Sequence, residues 1–240
     1  IKVWDTNTYT IVATMEGHSF AVTSVDFSTD GSRLVSCSWD KKVMTWHMDI
    51  MVDENTLVGH GEAIEDVMIH PNQQYLISAA SDKTIRIWDM SLDPHVKPPE
   101  GSQQLVQYQE YQEASRARNA RLRHKKDKFI VTQQETEARG QRDPHAGSVR
   151  ALAFNDHGLM MATGADDAKI KIWNVVNGEV VSNLLGHAAG ITSLAWSENS
   201  ANLYSSSFDS TIIFWDIINC NKLATIVGHS LPVNSMALHP

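Results

Sequence analysis

The stretch GHAAGITSLAWSENSANLYSSSFDSTIIFWD, residues 186–216, decides the fold. It holds three short runs: Ile191–Trp196, Leu203–Ser207 and Thr211–Trp215. A polar turn at Glu198–Ser200 separates the first two, and a tight turn marked by Asp209 separates the last two. A fourth run, Leu223–Val227, leads to the next histidine, His229. Four runs of this length, broken by polar turns, predict a small antiparallel sheet.

The same frame recurs along the chain. Histidines stand at 18, 60, 145, 187 and 229; three of the four gaps are 42 residues and the fourth, His60 to His145, is 85. An aspartate follows four of them by 22 residues (Asp40, Asp82, Asp167, Asp209), and a tryptophan follows each aspartate by 6 (Trp46, Trp88, Trp173, Trp215). Four residues before each aspartate stands a hydroxyl: Ser36, Ser78, Thr163 and Ser205. Trp4 fits the same grid, 14 residues before His18. A fixed period of this length, with four strands in each repeat, marks a repeat architecture.

The pairs Gly17-His18, Gly59-His60, Gly186-His187 and Gly228-His229, with Trp4-Asp5, Trp88-Asp89 and Trp215-Asp216, resemble the Trp-Asp (WD) repeat family. Departures are Pro144 before His145, His47 after Trp46 and Asn174 after Trp173. The resemblance implies an all-β chain, a β-propeller of four-stranded antiparallel blades. Four repeats are complete and two are partial, with Ile1–Trp4 and Tyr9–Met15 at one end and a first strand, Val233–Leu238, at the other. Family members most often close with seven blades, so residues 1–240 are expected to form most of one propeller, with on the order of two more blades outside them. The opening, Ile1 in mid-pattern with no Met and no secretory leader, agrees with a piece of a longer polypeptide.

The resemblance also implies a role for the recurring polar set: a chain of hydrogen bonds that links Asp with His, His with the hydroxyl, and the hydroxyl with the indole N–H. The sets are His18, Ser36, Asp40 and Trp46; His60, Ser78, Asp82 and Trp88; His145, Thr163, Asp167 and Trp173; and His187, Ser205, Asp209 and Trp215. Ser, His and Asp together also suggest a hydrolase triad. A triad occurs once and lies beside a cleft, whereas this set occurs four times, which favours a structural network. The histidines fall in different blades, with no carboxylate or cysteine clustered at ligand spacing, so no metal site is expected. No Gly-rich phosphate loop, HExxH or nucleophile elbow is present, so neither enzymatic activity nor a cofactor nor a small-molecule substrate is expected.

Composition is that of a globular chain, 42% hydrophobic and 20% charged over 240 residues. No apolar run approaches the roughly 20 residues that cross a bilayer. The two cysteines, Cys37 and Cys220, lie in unrelated contexts, which argues against a disulfide framework and for a reducing intracellular compartment, cytoplasmic or nuclear. The net charge of −8 argues against generic binding to DNA or anionic membrane.

That charge hides an asymmetry. Residues 89–144 hold the 43 extra residues, with 10 of the 20 Lys/Arg but only 9 of the 28 Asp/Glu. The rest of the chain is distinctly acidic. Within the insertion, Gln103 to about Lys126 favours helix, and Phe129–Thr132 is β-like, so the insertion is expected between the third and outer strands of its blade. Seven of the thirteen residues 116–128 are basic: Arg116, Arg118, Arg121, Arg123, Lys125, Lys126 and Lys128. This segment reads as a solvated helix or loop, as a docking arm for an acidic protein, or as an RNA contact through phosphates.

The resemblance implies that partners dock on the narrower face. The residues before each aspartate point there, namely Trp39, Ser81, Asp166 and Phe208, as do Phe20, Glu62 and Leu231 just after the histidines. Aromatic rings in such turns serve as interaction anchors or fold over neighbouring blades. The expected function is a non-catalytic scaffold or adaptor for proteins in a multi-subunit complex. One alternative is a component of an RNA-processing ribonucleoprotein that contacts RNA through 116–128. A second is the substrate receptor of a ubiquitin ligase. Many such receptors carry Arg where this chain has Asn7, Ser91 and Ile218.

Overall fold

Short runs rich in β-branched and small residues, each ended by a polar turn, have too little length for helix packing and pair with their sequence neighbours instead. In the computed structural model, which describes residues 1–49, 51–90 and 144–238, they form seventeen strands in five antiparallel sheets. The first sheet pairs β1 (Lys2–Trp4) with β2 (Ile11–Thr14). The second runs β3 (Val22–Phe27), β4 (Arg33–Ser38), β5 (Lys42–His47), β6 (Val52–Val58). The third runs β7 (Ile64–Ile69), β8 (Tyr75–Ala80), β9 (Ile85–Asp89). The fourth runs β10 (Val149–Phe154), β11 (Met160–Ala165), β12 (Lys169–Asn174), β13 (Glu179–Leu185). The fifth runs β14 (Ile191–Trp196), β15 (Asn202–Ser207), β16 (Thr211–Asp216), β17 (Asn221–Val227).

The sheets stack face to face in chain order, and the core lies between them. Val35, Cys37 and Val43 of the second sheet pack on Ile64, Val67 and Ile69 of the third. Ile77, Ala79 and Ile85 of the third pack on Val149 and Leu152 of the fourth. Ala162, Ile170 and Ile172 of the fourth pack on Ile191 and Leu194 of the fifth. At the other end the stack is uncovered. Val22, Val25 and Phe27 on β3 are 40–51% exposed, while their counterparts on β7 (Ile64, Val67 and Ile69) are 7% exposed or less.

Val233–Leu238 forms no strand. It is pinned at one residue, where the Val233 amide donates to the Ser207 carbonyl and the Thr192 hydroxyl to the Val233 carbonyl, and no described strand supplies the second ladder a strand there needs. The insertion's helix, its β-like Phe129–Thr132 and its basic residues, including Arg116, Arg118, Arg121, Arg123, Lys125 and Lys126, lie outside the described residues. Among the described residues no helix is long and apolar enough to cross a membrane.

One irregularity positions the site. In every complete ladder between the first and second strands of a sheet the register slips: between Val22 and Ser24, Ile64 and Asp66, Val149 and Ala151, Ile191 and Ser193. The skipped residues are Thr23, Glu65, Arg150 and Thr192, each five after its histidine. A bulge releases a side chain from the alternating in-and-out pattern of the strand. These four are thereby turned toward the sheet edge and the neighbouring sheet.

Candidate functional site

The site is built on the turns between the second and third strands of each sheet. The residue after each turn aspartate is left-handed without being glycine: Lys41, Lys83, Ala168 and Ser210 have φ of 62–68°. That conformation costs free energy, and the aspartate side chain holds it in place. Asp82 accepts from the amides of Gly61 at 2.8 Å and Thr84 at 3.0 Å, and from the Thr84 hydroxyl at 2.6 Å. Asp40, Asp167 and Asp209 each accept from the corresponding two amides.

Each aspartate also meets its histidine. Nδ1 lies 2.9 Å from Asp40 in His18, 3.0 Å from Asp82 in His60, 3.1 Å from Asp167 in His145 and 2.8 Å from Asp209 in His187. Nε2 lies 2.7–2.8 Å from the hydroxyls of Ser36, Ser78, Thr163 and Ser205. The indoles of Trp46, Trp88, Trp173 and Trp215 donate to the same hydroxyls at 2.7–2.9 Å. The hydroxyl accepts from the indole and donates to the ring nitrogen, while the other ring nitrogen donates to the carboxylate. All four hydroxyl residues are fully buried. The oxygens that would be nucleophiles in a triad are therefore sealed between two partners, with no path for a substrate.

The glycines before the histidines belong to this packing. A Cβ on Gly17, Gly59 or Gly186 would stand 3.0–3.1 Å from the tip of the indole of Trp46, Trp88 or Trp215. Burial alone would raise the turn carboxyls. The histidine and other hydrogen bonds outweigh it, holding Asp167 and Asp209 down at about 2 and Asp82 well below the usual carboxylate range.

At the rim, the residues before the aspartates are tied to the loops after the histidines. The amides of Trp39, Ser81, Asp166 and Phe208 donate to the carbonyls of Ala21, Ala63, Ser148 and Gly190. Their side chains diverge. Ser81 donates to Glu65 at 2.7 Å. Asp166 takes two hydrogen bonds from Arg150, at 2.5 and 3.0 Å, and the guanidinium lies 3.7 Å from Glu65 and 5.5 Å from the centre of the Phe208 ring, which is 39% exposed. Glu65, Ser81, Arg150, Asp166 and Phe208 thus form one cluster across three sheets. Trp39 is 55% exposed and Phe20 68%, and among the described residues no hydrogen bond or ring contact engages either side chain. Glu62 is exposed and Leu231 is 72% exposed.

Several contributors escape a reading of the sequence alone. The bulge residues Glu65 and Arg150 carry the cluster, and their constant offset from the histidines is the signal. Thr84 and Thr211 brace Asp82 and Asp209 through their hydroxyls. Asp26 and Asp66, polar residues inside apolar runs, accept amides of the next sheet: Ile69 at 2.7 Å and Leu152 at 2.8 Å. Burial pushes the Asp66 carboxyl up to about 6, against the hydrogen bonds from Ser24, Leu152 and Val67. Among the described residues no group of three or more His, Cys, Asp or Glu comes together in a way that could hold a metal ion.

Comparison with known proteins adds two findings. The family described as "WD domain, G-beta repeat" matches residues 9–47, 52–89, 139–174 and 178–216, well over half of the chain. A segment of 37 residues is 43% identical to part of "Ribosome biogenesis protein ERB1" of Lodderomyces elongisporus; it covers 15% of this chain and 4% of that protein.

Proposed function

The chain belongs to the WD domain, G-beta repeat family, and on that premise we propose that it is a non-catalytic scaffold that holds other proteins in a multi-subunit intracellular complex, in cytoplasm or nucleus. One observation carries the reading: the recurring polar chemistry of each repeat is consumed in sealed hydrogen bonds, while Phe20 and Trp39 stand free at the rim among the described residues. Solvent-facing aromatics on a rigid turn are anchors for a partner. The four polar sets serve to fix the rim's shape.

The same reading extends to the parts of the molecule around the rim. The uncovered apolar face of Val22, Val25 and Phe27 supports a further blade packed against β3, and a ring of seven is the closure that family members most often have. Residues 89–144 are read as an insertion between the third and outer strands of the third sheet's blade, within one propeller domain spanning 1–240. A second reading makes the protein part of an RNA-processing particle. It rests on the basic stretch 116–128 and on the short match to a ribosome biogenesis protein.

The test is purification of the full-length protein from its own cells as wild type, as Phe20→Ala/Trp39→Ala, and without residues 93–128, followed by identification of bound proteins and RNA. Loss of a defined protein set from the rim variant supports the scaffold. Retention of every bound protein by the rim variant overturns the rim as its working surface. Salt-sensitive loss of RNA on deletion moves the balance to the second reading.

A further inference from the structure

We infer that the rim beside Phe20 and Trp39 accepts an extended partner segment that carries an apolar side chain followed by lysine or arginine. This inference rests on the scaffold reading above and names the chemistry of the partner.

The apolar half of the recognition is the aromatic pair. The Trp39 amide is bonded to the Ala21 carbonyl, which sets the Trp39 backbone beside the loop that presents Phe20. Both rings are more than half exposed. The turn beneath them is held by Asp40, so little backbone freedom remains to be lost on binding.

The cationic half follows from the neighbouring positions. Lys41 reaches across to the next sheet and donates to the Gly61 carbonyl at 2.6 Å, which brings exposed Glu62 beside the Trp39 turn. Beyond it lie Glu65 and Asp166. Across these turns, loops and bulges, the four turn aspartates with Glu62, Glu65 and Asp166 outnumber the cations Lys41, Lys83 and Arg150. Two of those cations are engaged, Lys41 on a carbonyl and Arg150 on Asp166. Asp167 and Asp209 are held at about 2, with histidine and amide hydrogen bonds outweighing burial, so they remain charged at neutral pH. The exposed Glu62 carboxylate, which no ion pair engages among the described residues, together with this excess of carboxylates, favours a basic segment. An acidic segment would meet like charge.

The experiment uses the full-length protein and short labelled synthetic peptides in a Gly/Ser background. One has a Leu-Lys-Lys centre, one Leu-Glu-Glu and one Ala-Lys-Lys; binding is read by fluorescence anisotropy at low and moderate salt. The Leu-Lys-Lys peptide is expected to bind about tenfold more tightly than either other peptide, with its advantage over Leu-Glu-Glu shrinking in salt. Trp39→Ala should remove about tenfold, and Glu62→Lys should narrow the preference for lysine over glutamate. The inference is overturned by equal or tighter binding of Leu-Glu-Glu, by Ala-Lys-Lys matching Leu-Lys-Lys, by an unaffected Trp39→Ala variant, or by no binding of any peptide. Trp39→Phe, with its melting temperature, guards against a folding defect: retained binding there together with loss in Trp39→Ala assigns the effect to the ring. If Trp39→Ala releases cellular partners but the acidic peptide wins, the scaffold reading stands and this inference falls.

Discussion

Trp39 and Asp166 hold the same place in their repeats, one residue before the turn aspartate, yet their side chains meet different ends. Asp166 is consumed: Arg150 grips it with two hydrogen bonds and lies against Phe208 of the next sheet. Trp39 is left outward: the bulge residue of its own sheet is Thr23, whose hydroxyl is spent on the Ile64 carbonyl at 2.7 Å, and no described sheet covers the Val22, Val25 and Phe27 face of β3 to bring up a side chain as the fourth sheet brings Arg150 to Phe208. The turn geometry is common to both regions. In the described sheets the bulge residues, of the same sheet for Asp166 and of the preceding sheet for Phe208, close the rim.

The comparison breaks first if the shared frame is not shared. Asp40→Ala and Asp167→Ala each remove a carboxylate that serves a buried histidine and two amides. Each should cost about 3 kcal/mol, since several donors lose their acceptor together. Chemical denaturation of the full-length protein measures both. A loss under about 1 kcal/mol in one and not the other would show that the two turns are held differently.

A smaller effect separates the turns from the seams between sheets by the sign of their pH dependence. Asp167 and Asp209 sit at about 2 when folded, below the unfolded value, so their contribution is full above about pH 4 and is lost as pH falls through about 2. Asp66, at the seam of the third and fourth sheets, is raised by burial to about 6. Its contribution is therefore full below about pH 4 and is lost as pH rises through about 6. Asp66→Asn keeps an acceptor for the Leu152 amide and removes the charge. Relative to wild type it should gain stability on the order of 2 kcal/mol between about pH 5 and 7.5, and a flat difference across that range would refute the seam's role.

Smaller again is the cluster itself. Arg150→Met should cost about 1 kcal/mol, because the ion pair with Asp166 is one-third exposed on each side and the ring contact is modest. Its more telling readout is Phe208, which should become more accessible to solvent quenchers in a Trp-substituted reporter, Phe208→Trp, once the guanidinium is gone. Unchanged accessibility would mean that Arg150 does not hold the ring.

How much of this was legible follows the same division. Constant offsets are visible in one sequence, so the histidine, hydroxyl, aspartate and tryptophan columns led to the sheets and their order, with most strand limits within a residue or two. Contacts that cross from sheet to sheet leave no offset of their own. Arg150 against Phe208 is a meeting of positions 58 residues apart, and nothing in either repeat announces it. Asp26 and Asp66 stand at different places in their repeats, so no constant offset marks them, although both accept amides of the next sheet. Val233–Leu238 carried a strand's pattern, but a pattern becomes a strand only where a neighbour supplies the ladder.

The smallest expected effect bears most directly on function. Trp39→Ala removes a large ring, and in a core such a change costs about 3–5 kcal/mol. Here the ring is 55% exposed and unengaged, while its backbone amide keeps the bond to Ala21. The stability change should be under about 0.5 kcal/mol, the range of a surface substitution. The Phe208→Ala variant should lose more, since that ring covers Arg150 and Gly190. If the order is reversed and Trp39→Ala is the costlier change, then in the full-length protein the Trp39 ring is covered by a neighbouring blade. The two rims would then differ in which sheet closes them, and neither would be open.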